Sequence, residues 1–94
     1  MGKFMCVHPV GGNMDPQAAT PLAQAIKANS TTDAYWIRSW YAPEEGKFYC
    51  EWDAKDADSI RKVMDVALAQ TGIPFPLEGV YALPLMVSGE EYRT

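Results

Sequence analysis

The stretch from Tyr35 to Asp53 leaves the rest of the chain little freedom. Two strand-like runs, YWIRSWY and KFYCEWD, flank the segment APEEG, and together they hold all three tryptophans, three of the five tyrosines and one of the two cysteines. Alternation in the first run separates Tyr35, Ile37, Ser39 and Tyr41 from Trp36, Arg38 and Trp40. In the second run Phe48, Cys50 and Trp52 form an apolar stripe, and Tyr49, Glu51 and Asp53 a polar one. Such period-two patterning predicts a half-buried β-hairpin, with Gly46 supplying a positive φ at its turn. The first stripe of each run is expected to face the helices and the second the open side of the sheet. A lone hairpin is marginal in water, so the other elements must fold onto it.

Those elements read in order from the chain. Lys3 to His8 is rich in strand formers and ends at Pro9, Gly11 and Gly12. Asp15-Pro16 and Thr20-Pro21 are successive helix-start signals, and Pro21 cannot sit in a helix interior. The spacing therefore predicts either an early turn before a helix from Pro21 to about Ala28, or a helix kinked at Pro21. Asp56 is the N-cap of a second helix whose apolar face is Ile60, Val63, Met64, Ala67 and Leu68, with Gly72 just past its end. Ile73-Pro74-Phe75-Pro76 is a stiff apolar connector. Val80 to Val87, interrupted by Pro84, is expected as a last strand lying partly on an edge. The order β-α-β-β-α-β with right-handed crossovers gives an α+β, ferredoxin-like, four-stranded antiparallel sheet of order 4-1-3-2 with two helices on one face. One domain is expected over residues 1–94, a core over 1–87 and a polar tail over 88–94.

Charge and hydropathy narrow the function classes. The net charge of -4, without a basic cluster, argues against nucleic acid, whose binding depends on neutralising phosphates. No apolar run is long enough to span a bilayer, and the amino end lacks the apolar stretch of a signal peptide. A cytoplasmic protein with reduced thiols is the expectation. The open sheet face carries large side chains with nothing in the chain to cover it, which points to a homodimer.

Several residues are candidates for chemistry, each with a plainer reading beside it. His8 is the only histidine and suits metal ligation or acid–base work; the plainer reading is a partly exposed imidazole bonded to nearby backbone. Cys6 and Cys50 fall on the two central strands, where with His8 or Met64 they form a soft site for Cu(I) or Zn; otherwise they are small buried hydrophobes. Glu51 in a strand calls for a partner, and Arg38 is at hand. These two with His8 make a polar cluster for a small ligand, or Glu51 and Arg38 are simply an ion pair. Trp36, Tyr49 and the neighbouring aromatics line a pocket for a flat ligand, or serve as core or dimer contact.

Four stretches, KFMCVH, WYAPEEGKFYC, DADSIRKVM and VYALPLMV, stand in an order and spacing that resembles a family of small bacterial ferredoxin-like proteins of unknown function with a nickel-binding branch. Its structural relatives are the dimeric α+β-barrel proteins. The resemblance implies a homodimer and nickel or another transition metal handled by histidines. His8 matches the family's histidine at the end of the first strand, and Cys50 its cysteine in the third. Cys6 stands where an acidic residue is frequent, and Met64 where a histidine is common. Three function classes follow: a homodimer binding a metal ion or small ligand, a cofactor-independent monooxygenase- or isomerase-like enzyme with His8 or Glu51 as base, and a structural dimer module.

Overall fold

The computed structural model describes residues 1–93. Its elements are β1 (Gly2–Pro9), α1 (Thr20–Asn29), β2 (Ala34–Ala42), β3 (Lys47–Ala54), α2 (Ala57–Thr71) and β4 (Gly79–Ala82). The strands form one antiparallel sheet of order β2-β3-β1-β4, the ferredoxin-like arrangement expected from the element order. β1 and β3 are the central pair, in register from Gly2 opposite Ala54 to Pro9 opposite Lys47.

Local chemistry explains the boundaries. The side chain of Asp56 accepts the Ser59 amide at 2.8 Å, which satisfies one of the helix's free donors. Gly72 closes α2 in the left-handed conformation. An early turn, closed by the Gln17 amide donating to Asp15 Oδ1 at 3.0 Å, precedes α1, so Pro21 sits in its first turn where a missing N–H costs nothing. Leu22 and Ile26 of α1, and Ile60, Val63, Met64 and Ala67 of α2, bury against Cys6, Cys50 and Trp52 of the sheet.

Two expectations require correction. The last strand stops at Ala82 rather than Val87. The Leu83 amide still reaches Lys3 O at 2.9 Å, but Pro84 has no amide to continue the ladder. Leu85, Met86 and Val87 are left exposed, and Gly89–Tyr92 forms a short 3-10 turn. The stripes of β2 also differ. A β-bulge between Trp36 and Arg38 shifts the register, so that Trp36 pairs with Trp52 while Ser39 pairs with Cys50. One extra residue reverses the alternation. Trp36 therefore joins Ser39 and Tyr41 on the helix side, and Tyr35 joins Arg38 and Trp40 on the open side.

Gly46 has φ +72°, and a Cβ there would lie 3.3 Å from the backbone of Gly11. The Gly11 amide donates to Gly46 O at 2.9 Å, and Tyr41 Oη donates to Gly11 O while accepting the Met14 amide. This latch holds the loop after β1 against the hairpin. Gly46→Ala is expected to destabilise the fold by about 1–2 kcal/mol, read as a lower urea midpoint with unchanged slope.

Candidate functional site

The sheet divides the candidate residues between its two faces. Cys6, His8 and Cys50 lie on the helix side, fully or nearly fully buried. Arg38, Tyr49 and Glu51 lie on the open side. The polar cluster of His8 with Arg38 and Glu51 therefore does not form: the sheet itself stands between them.

On the open side, Glu51 is the centre of a charge chain across three strands. Lys3 Nζ is 2.6 Å from Glu51 and 3.1 Å from Asp53, and Arg38 Nε is 3.3 Å from Glu51. The acidic pair holds the Lys3 pKa above its ordinary value, first through the hydrogen bond to Glu51. The Tyr49 hydroxyl is taken up by Glu45. Around these charges stand Met5, Val7, Trp40 and Tyr81, the last two about half exposed. The arrangement is that of paired ions on an apolar sheet surface.

On the helix side, the single histidine is wholly enclosed. The Ile73–Pro76 connector folds across the end of β1, and the His8 ring stacks on Phe75 at 3.8 Å between centroids, tilted by 14°. Nδ1 lies 3.1 Å from Pro76 O. A carbonyl only accepts, so Nδ1 carries the proton and Nε2 is a lone-pair acceptor, which is buried without a partner. Loss of hydration pushes the imidazole pKa down to about 4, so the ring is neutral at pH 7. The plainer sequence reading had a partly exposed imidazole bonded to backbone; the backbone bond is there but the ring is not exposed, because where the apolar connector would fold was not visible.

Cys6 and Cys50 are directly opposite each other across β1 and β3, on one face of the sheet. Both are free thiols. Burial pushes each up to about 12, and Ser39 partly offsets this at Cys50. Neither is a nucleophile at neutral pH.

A feature that periodicity could not reveal lies between α1 and the sheet. An apolar cavity of about 60 Å³ is lined by Leu22, Ser39, Cys50, Trp52 and Met64, among others. It shares Met14, Ala19, Ala23, Trp36 and Phe48 with a surface groove of about 370 Å³, its outer continuation. The space exists because alanines stand at 19, just before α1, and at 23 within it, and because the bulge turns Trp36 inward to form a wall. Trp36 Nε1 donates to Ser39 Oγ at 2.8 Å. The indole N–H of Trp52 is buried with no partner. Neither His8 nor Glu51 lines this cavity, so neither is placed as a base at its wall.

A sequence model of the family described as "Nickel responsive protein SCO4226-like" matches residues 4–75. The chain belongs to this family. The crystal structure of SCO4226 from Streptomyces coelicolor A3(2) superposes with a TM-score of 0.70 at 22% identity, over 90% of this chain and 99% of that one. At that identity the likeness shows the ferredoxin-like fold. No curated protein matches. No helix among the described residues is long and apolar enough to cross a membrane.

The family's link to nickel can be tested on these residues. Nickel needs several imidazole, carboxylate or thiolate donors converging on one point. Among the described residues no three His, Cys, Asp or Glu side chains do so. The one imidazole is stacked and bonded through Nδ1, and the two thiols hold their protons. The residues of one subunit do not fit a nickel site.

Proposed function

We propose that this protein is a homodimer that binds a small apolar ligand between α1 and the sheet. The observation that carries this reading is the cavity with its adjoining groove, lined by α1, β2, β3 and α2 and almost free of polar surface. Ligand sites are typically concave, apolar and supplied with a few polar groups; here Ser39 and the unpartnered Trp52 N–H provide them.

The homodimer uses the open sheet face. Trp40 and Tyr81, with the half-buried Met5, are the apolar surface to be covered, and the Lys3, Arg38, Glu51 and Asp53 charges set the register of the two copies. The edge of β2 is a poor alternative. Its bulge twists the ladder, and Lys27 Nζ donates to the Trp36 carbonyl, both devices that block strand addition. In a reducing cytoplasm Cys6 and Cys50 remain small core residues.

A native mass spectrum, recorded as purified and with added nickel, zinc and reduced copper, tests both parts. The expected species is a dimer without stoichiometric metal, converted to monomer by Trp40→Asp. A dimer that takes up one nickel per chain and loses it in His8→Ala would instead support the metal site implied by the family's description. A monomer at micromolar concentration rejects the sheet-face assembly.

A further inference from the structure

Within the ligand-binding reading just proposed, on which this step rests, the groove and cavity also specify a chemical class. The inner cavity, at about 60 Å³, is less than half the roughly 150 Å³ that admits benzene in an engineered core. It has room for the end of a chain and not for a ring. The outer groove is several times larger, and Met14, Ala19, Ala23, Trp36 and Phe48 run through both. An apolar chain entering end-on would therefore lie along the groove with its terminus in the cavity.

The groove also carries a charge. Lys27 is among its lining residues, together with Gln24 and Thr20, and no Asp or Glu lines it. The Lys27 ammonium sits 3.8 Å from the centroid of the Tyr35 ring and 5.5 Å from that of Trp36. Among the described residues, Lys27 and Lys62 are the two basic side chains of the eight that face no carboxylate. In a chain of net charge -4, a cation in no salt bridge, held by aromatic rings and the Trp36 carbonyl in the lining of an apolar groove, is complementary to an anionic head group. We infer that the groove and cavity take an unbranched amphipathic monocarboxylate, its hydrocarbon tail between α1 and the sheet and its carboxylate at Lys27.

Lys27 is exposed and gives one N–H to the Trp36 carbonyl, which leaves two further donors on its ammonium for a carboxylate. The hydrocarbon supplies affinity by leaving water, and the ion pair supplies selection. Because Lys27 is exposed, its contribution is modest.

The test compares octanoate with octan-1-ol as probes of the full chain at pH 7.5, followed by tryptophan emission, since Trp36 forms the wall, and by calorimetry. Octanoate is expected to bind saturably, one per chain, about fivefold more tightly than the alcohol, as an exposed ion pair allows. Lys27→Gln should bring octanoate to the level of octan-1-ol, and Lys27→Arg should keep the preference. Ala23→Leu should abolish binding of both, with the far-ultraviolet spectrum confirming that the variant folds. If the alcohol binds the wild type as well as the acid does, or Lys27→Gln changes nothing, the carboxylate assignment fails while the apolar-ligand reading stands. If neither probe binds the wild type, both fail. Octanoate binding that emerges only after removal of residues 84–94 would give the groove to the C-terminal stretch of a second copy, and overturns the inference.

Discussion

Acidification from pH 7 to below pH 4 is expected to remove about 3 kcal/mol of stability through His8 alone. The folded-state pKa is about 4 against an ordinary 6.5. Because the folded value is the lower one, the unfolded chain binds a proton first as the pH falls through 6.5. Stability is thus fully present above pH 6.5 and declines as the pH falls towards 4, below which the folded form also takes the proton. The cause is desolvation. The ring is covered by Phe75 and faces no carboxylate, and its one bond, to Pro76 O, is available to the neutral form as well. Urea unfolding of the wild type and of His8→Gln at pH 7 and pH 4.5 isolates the effect, since carboxylate titrations are common to both. The wild type should lose more stability than the variant by roughly 2 kcal/mol or more. Equal losses would show that the imidazole is protonated without penalty and that the connector does not enclose it.

How much of this was legible in the residues depended on whether the determining interaction was local. The helix caps at Asp56 and Gly72, the turn glycine at 46 and the sheet order follow from short-range chemistry and handed connections, and the sequence carries each of them. The bulge in β2 does not declare itself, because Tyr35 to Tyr41 alternates without a break; only the pairing of Trp36 with Trp52, and of Ser39 with Cys50, exposes the extra residue. That single slip moved Trp36 from the open face into a cavity wall. His8 and Glu51 looked like members of one cluster because both are polar residues on central strands. Their positions, opposite Phe48 and Met5 respectively, put them on opposite faces once the register is known. The cavity was hidden for another reason. Ala19, at the entry to α1, and Ala23 within it are ordinary residues, and what their small size leaves empty depends on how far α1 stands from Trp36 and Phe48.

Trp52→Ala is expected to cost about 3–5 kcal/mol, the range for removing a large aromatic from a core. Trp52 is 1% exposed and heads the fully buried side chains by volume. Small domains have only about 5–15 kcal/mol in total, so the variant should be close to unfolding at 37 °C. Trp52→Phe is predicted to behave quite differently. The indole N–H has no partner in the structure, and an unpaired buried donor carries a penalty of about 1–3 kcal/mol. Phenylalanine removes that donor but leaves a void beside a cavity that already exists. The two terms oppose each other, and the net change should stay within about 1 kcal/mol. Thermal and urea unfolding of both variants measure the contrast. A loss in Trp52→Phe as large as in Trp52→Ala would mean that the N–H does have a partner in solution.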